Sequence, residues 1–154
     1  MYKWSGNSIT TALAVSSLLL LLFRYWPIYR SLEAPDLSLP FVFLAMLHFI
    51  GLISAGFGVQ IVMGNVSGNP AVKPARQLFG IWLFFHSVWL VLFAGLNLPV
   101  LSMGFGMVEW GVSVFCIQKF FNVDPKAGNR ILLFFIMTTY LIYLNATLIS
   151  LNNL

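Results

Sequence analysis

The stretch PFVFLAMLHFIGLISAGFGVQIVM, residues 40–63, decides the fold of this chain. It runs for 24 residues without an Asp, Glu, Lys or Arg. A helix rises about 1.5 Å per residue, so this stretch is long enough to cross the hydrocarbon layer of a bilayer, which is about 30 Å thick. It predicts a transmembrane helix.

Four further apolar segments flank this one, at residues 5–25, 77–96, 99–119 and 131–151. Residues rich in Pro, Gly and Asn separate them, as in LNLP (residues 96–99) and NVDPKAGN (residues 122–129). Of the 154 residues 60% are hydrophobic and 8% are charged, against about 25% charged in soluble domains. We therefore predict an all-α, multi-pass integral membrane protein, a single five-helix bundle over residues 1–154 with membrane lipid around it.

The charged residues indicate how the chain is oriented. The formal charge is +4, but the cations are scattered singly and form no basic patch, which argues against a nucleic-acid partner. By the positive-inside rule they place the N-terminus inside and the C-terminus outside. The cations assigned to the inner side are Lys3, Lys73, Arg76, Lys119, Lys126 and Arg130.

Three ionisable residues, His48, His86 and Glu109, fall inside apolar segments. Such residues are costly at bilayer depth and mark candidate functional sites. Counted from the segment ends, all three lie at about the same height near the midplane. Glu109 is expected either to pair with a histidine or to be buried in its neutral form, and the sequence leaves both open.

The third segment carries an aromatic stripe. Trp82, His86, Trp89 and Phe93 are spaced by four, three and four residues, so they share one helix face. Such a face suits a flat, hydrophobic ligand, but it also suits packing on a neighbouring helix. The two histidines are further candidates for axial ligands of a haem. We predict no other metal site, no required cofactor and no enzymatic activity, because no nucleophile stands beside a base and no phosphate-binding loop is present.

The last third of the chain, FFNVDPKAGNRILLFFIMTTYLIYLNATLISLNN, resembles the end of the TspO/MBR family of tryptophan-rich sensory and translocator proteins. The family's two Leu-Asn pairs correspond to Leu144-Asn145 and Leu151-Asn152. The segment IYRSLEAPDLSLPFVF is similar to the family's first loop, and WLFFHSVWLVLF to its third-helix motif. In that motif Trp82 stands at a glutamine and His86 at an asparagine.

The resemblance implies a five-helix bundle, often dimeric, with a pocket between the helices that binds porphyrins. The family's tryptophan positions in the second and fifth helices hold His48 and Met137 here, and Glu109 falls near an acidic residue of its fourth helix. It also implies a location in a bacterial envelope or a mitochondrial membrane. The expected ligand-binding residues are Tyr29, His48, Trp82, His86, Trp89, Phe93, Glu109, Met137 and Asn145.

Two functions follow as hypotheses. The first is a binding protein for a hydrophobic small molecule, with a tetrapyrrole (porphyrin or haem) or lipid in the pocket. The second is an accessory structural subunit of a larger membrane complex, for instance a respiratory one, whose pocket has decayed or is filled by lipid, because a fold does not imply a function.

Overall fold

The computed structural model describes residues 6–19, 21–22, 32–33, 40–64 and 69–153. These residues form helices and contain no β-strand. A π-helical turn, Val91–Gly95, continues the third helix directly. The helices are α1 (Gly6–Leu19), α2 (Phe41–Gly64), α3 (Val72–Leu90), α4 (Pro99–Val123) and α5 (Pro125–Asn152).

Four of these helices are long and apolar enough to cross a membrane: Val42–Gly64, Val72–Gly95, Pro99–Val123 and Pro125–Asn152. The chain is thus a multi-pass membrane protein. Helix α1 has 14 residues, fewer than the roughly 20 that a span needs. The end of the predicted first span, residues 23–25, lies outside the described residues. That span and the inside location of the N-terminus stay predictions.

Three of the helices extend beyond the predicted apolar segments. Helix α3 begins at Val72 rather than at residue 77, and α4 continues to Val123 rather than 119. Helix α5 begins at Pro125, six residues before the predicted start at 131. The stretch that we interpreted as a loop is reduced to Asp124, whose carboxylate accepts a hydrogen bond from the backbone N–H of Lys126 (2.7 Å). Asp124 is an N-cap, and Pro125 occupies the first helical position, where its missing N–H costs nothing.

Removing this cap should destabilise the start of α5. We expect Asp124→Ala to lower the free energy of unfolding by about 0.5–2 kcal/mol, because the Lys126 N–H loses its acceptor. Asp124→Asn should keep most of the stability, since an asparagine oxygen also caps. Unfolding in mixed micelles, followed by circular dichroism, measures both. Equal losses in the two variants would contradict a capping role.

Helices α3 and α4 form an antiparallel pair joined by the short connection Leu96–Leu98. Asn97 has a φ of 54°, in the left-handed region that asparagine tolerates better than most residues. The backbone N–H of Leu98 donates a hydrogen bond to the carbonyl of Leu92 (2.9 Å), in the π-helical turn at the end of α3. Pro99 then begins α4.

The bundle is built by successive helix contacts. Helix α1 packs on α2, α2 on α5, α5 on α4, and α4 on α3. The interior holds two apolar clusters, one around Phe79 and Phe120 and the other around Phe93 and Leu144. Along α2, α3 and α5 the sequence passes from one cluster to the other, and the buried His48 and His86 lie at the transition on α2 and α3.

Helices α2 and α5 approach each other closely at Gly58. A Cβ atom placed there would lie 3.1 Å from the carbonyl oxygen of Ala127 and 3.3 Å from Cβ of Arg130. The first of these neighbours is backbone, which cannot rotate away. Glycine therefore lets the two helices pack at this distance, as small residues do in membrane bundles.

We expect Gly58→Ala to destabilise the protein by about 1–3 kcal/mol, because the added methyl group overpacks the α2–α5 contact. Gly80→Ala is the matched control: it lies on α3, and a Cβ there has no neighbour within 4 Å. That variant should be neutral or stabilising, since alanine favours helix more than glycine does. The same unfolding measurement compares them, and equal stabilities would refute the close contact.

Candidate functional site

A layer of polar side chains crosses the middle of the bundle. Helix α2 contributes His48, α3 contributes Trp82 and His86, and α4 contributes Glu109. Each of the four is at most 1% exposed. The structure thus brings together the three ionisable residues for which the sequence predicted a common height, and it adds Trp82 to them. We call these four residues the polar layer.

Hydrogen bonds join the polar layer into a chain. The indole Nε1 of Trp82 donates to Oε1 of Glu109 (3.1 Å). Nδ1 of His86 contacts the same oxygen at 2.7 Å, within the range of a charge-assisted bond. Nε2 of His86 lies 3.3 Å from Nε2 of His48. The chain therefore runs from α4 through α3 to α2.

The hydrogen-bond network indicates which ring nitrogen of each histidine carries a hydrogen. Oε1 of Glu109 accepts from Trp82, and we assign it as the acceptor of the Nδ1 hydrogen of His86 as well. In a neutral His86 the Nε2 atom is then an acceptor, and Nε2 of His48 donates to it. Two buried atoms at the ends of this series of hydrogen bonds, Oε2 of Glu109 and Nδ1 of His48, have no hydrogen-bond partner among the described residues. Buried polar atoms without partners are costly, so both ends can accept a further contact.

Phe134 of α5 closes the layer from one side. Its ring stacks on Trp82, with centroids 4.7 Å apart and 24° between the planes. It also meets His86 edge-on at 4.9 Å. Phe134 was not among the predicted site residues. The sequence signal was the helical spacing of Phe134, Thr138, Leu141 and Asn145, and the structure buries all four.

The aromatic stripe continues from the polar layer along α3. Trp89 stacks on His86 (5.8 Å between centroids) and on Phe93 (5.0 Å, with 16° between the planes). Trp89 is 1% exposed, and its Nε1 has no hydrogen-bond partner among the described residues. Stacked rings with an unused donor provide both an apolar surface and a polar contact for a flat molecule.

Two predicted ligand-binding residues, Met137 and Asn145, belong neither to the polar layer nor to the aromatic stripe of α3, and a third lies outside the described residues. Asn145 is buried, but its side-chain amide donates to Oγ of Ser102 (2.8 Å) and to the carbonyl of Pro99 (3.3 Å), both in α4. Met137 packs in the apolar cluster that contains Trp89 and Phe93. Tyr29 lies outside the described residues.

The contact between α2 and α3 is a loose one. These two helices have few backbone approaches, whereas α2 packs extensively on α1 and α5, and α3 packs extensively on α4. The side chains of His48 and His86 bridge the gap, with ring centroids 5.0 Å apart and planes at 30°. We call this region the α2–α3 seam. Here the two helices are linked by side chains rather than by close backbone packing.

Four grooves described on the molecule lie away from the polar layer. One follows the outer face of α3 around Gln77 and Phe84, and another lies between α4 and α5 around Met107 and Trp110. The other two are lined by residues at the start of α4 and by residues of α2 and α5. No polar-layer residue lines any of these four. In this structure the layer is filled by its own side chains.

Four apolar spanning helices around a buried layer of indole, imidazole and carboxylate groups define a multi-pass helical membrane protein with a polar site in its interior. The family model described as TspO/MBR family matches residues 7–151. The chain therefore belongs to the TspO/MBR family. A comparison with curated proteins found no match.

Proposed function

We propose that this protein binds a flat hydrophobic molecule, most favourably a tetrapyrrole, at the polar layer, and that it acts by binding rather than by catalysis. The observation that carries the proposal is the set of buried polar atoms without partners at Glu109, His48 and Trp89. In a membrane interior such atoms are costly unless a ligand or water uses them. Membership of the TspO/MBR family supports the same assignment.

The chemistry of the layer fits such a ligand. Trp82, Trp89 and Phe93 offer ring faces for a planar macrocycle. The Nε1 donor of Trp89 suits a ligand carboxylate, and the histidines offer further polar contacts. Binding requires the α2–α3 seam to widen and the ring of Phe134 to turn away from Trp82, because these side chains pack against one another in this structure.

Titration of the detergent-solubilised protein with protoporphyrin IX, followed by quenching of tryptophan fluorescence, tests this function. We expect Trp89→Phe to weaken binding about 10- to 100-fold, because one hydrogen bond to a charged group is lost. Trp110→Phe is the matched control: Trp110 is 44% exposed and its Nε1 bonds to Thr139 outside the layer. That variant should bind within about twofold of the parent. A parent protein whose fluorescence does not change, or equal losses in both variants, would reject the proposal.

The closed polar layer also favours a second candidate, an accessory subunit of a larger membrane complex. All four residues of the layer are at most 1% exposed, so the layer can serve as a packed core without any ligand. Extraction in a mild detergent followed by sizing separates the candidates. An accessory subunit should co-purify with partner chains in fixed proportion. Purification as a stable monomer or homodimer would reject the accessory role.

A further inference from the structure

The two histidines of this chain face each other through the same ring atom. Their Nε2 atoms are 3.3 Å apart, and neither residue is more than 1% exposed. The chain has no other histidine. The two residues come from different helices, so their contact is created by the fold and not by a short sequence motif.

The spacing of the imidazoles fits a shared metal ion. With metal–nitrogen bonds of about 2.05 Å, two nitrogens 3.3 Å apart subtend about 107° at the metal, close to the tetrahedral angle. Two rings held in that way have centroids about 5.1 Å apart, and the observed separation is 5.0 Å. A haem iron clamped between the rings from opposite sides would need nitrogens about 4 Å apart, so the spacing does not fit that arrangement.

His86 has a carboxylate beside its second ring nitrogen, an arrangement common among histidines that bind metals. Histidines that bind metals commonly donate their other ring N–H to a carboxylate, which fixes the ring and makes the free nitrogen a better donor. Glu109 is placed in this way, 2.7 Å from Nδ1 of His86. Trp82 bonds to the same carboxylate oxygen and holds it in place.

We propose that His48 and His86 bind a divalent first-row transition-metal ion through their Nε2 atoms, with Glu109 as the outer carboxylate. The hydrogen on Nε2 of His48 moves to its unpartnered Nδ1, which frees both nitrogens without loss of a proton. Within the described residues no group of three His, Cys, Asp or Glu side chains is placed to hold a metal. In this proposal the two histidines fill two of the four tetrahedral positions, and water or a bound molecule fills the others.

Metal binding here does not depend on the proposed tetrapyrrole binding, although both use the polar layer, and it is measured without a tetrapyrrole. Cobalt(II) is a suitable probe, since tetrahedral Co²⁺ absorbs strongly in the visible and octahedral Co²⁺ only weakly. The protein must be purified on a tag without histidines and treated with a chelator before titration. We expect the intense visible spectrum to saturate at one Co²⁺ per chain, and added Zn²⁺ to abolish it. A folded parent protein that gives no such spectrum overturns the proposal, and the histidine contact is then a hydrogen bond only.

Variants locate the ion. His48→Ala and His86→Ala should each abolish the spectrum, while Glu109→Gln should keep it with about 10- to 100-fold weaker affinity, the usual effect of losing an outer-shell carboxylate. Thr138→Val is the control, because Thr138 is buried and its hydroxyl has no partner among the described residues. It should bind Co²⁺ as the parent does. If an alanine variant does not fold, Glu109→Gln and the parent titration still decide. Unchanged affinity in a folded Glu109→Gln protein contradicts the assigned geometry.

Discussion

Glu109→Ala is expected to lower the free energy of unfolding by about 3–5 kcal/mol, the usual effect of removing one partner of a buried pair. The carboxylate oxygen Oε1 serves two donors, Nε1 of Trp82 and Nδ1 of His86. Both are buried, so neither can turn to water when the acceptor is lost. Each orphaned group costs about 1–3 kcal/mol. Unfolding in mixed micelles, followed by circular dichroism, measures the loss.

Two further variants show whether this loss comes from the hydrogen bonds. Glu109→Gln keeps one acceptor oxygen in nearly the same shape and should lose only about 1–2 kcal/mol. Glu33→Ala removes a carboxylate whose residue is exposed and bonds to Asn152 through its backbone, so its stability should stay within about 0.5 kcal/mol of the parent. An alanine variant at position 109 as stable as the parent would mean that Trp82 and His86 readily find other acceptors.

The sequence predicted the polar layer in outline because the geometry of a membrane helix is simple. Counting residues from the segment ends placed His48, His86 and Glu109 at one height, and the structure joins all three. The sequence did not predict which atoms form hydrogen bonds with one another. Counting along a helix gives depth, whereas pairing depends on how α2, α3 and α4 rotate against one another. Phe134 was missed for the same reason, since one more phenylalanine in an apolar helix looks like ordinary core.

The errors in the helix boundaries have a different physical origin. The stretch around Asp124 contains Pro125 and Gly128, which we interpreted as breakers. Proline breaks or kinks a helix when it stands at an interior position. At the first position, directly after a capping aspartate, it favours the start of a helix. Whether Pro125 ends one helix or begins the next therefore depends on the hydrogen bond from the Lys126 N–H to the Asp124 carboxylate. Amino-acid composition does not reveal that bond.

Phe134→Ala is expected to cost about 3–5 kcal/mol of stability, as removal of a fully buried phenylalanine ring generally does. Phe134 is 0% exposed and touches both Trp82 and His86, so its loss leaves a void beside the polar layer. Phe84→Ala, on the outer face of α3 with 61% of Phe84 exposed, is the matched control and should change stability by less than about 1 kcal/mol. The unfolding assay used for Glu109 compares the two variants.

The same substitution should have the opposite effect on ligand binding. In the proposed function the ring of Phe134 must leave its place before a tetrapyrrole can stack on Trp82, so the parent spends part of its binding energy on that displacement. Phe134→Ala removes this cost, and we expect affinity for protoporphyrin IX to rise about 10-fold, equivalent to about 1.4 kcal/mol. The ligand should also raise the unfolding temperature of this variant more than that of the parent, because tighter binding to the folded state stabilises it further. A Phe134→Ala protein that is folded yet binds no better than the parent would place the ligand elsewhere, and would leave Phe134 as a core residue of a closed bundle.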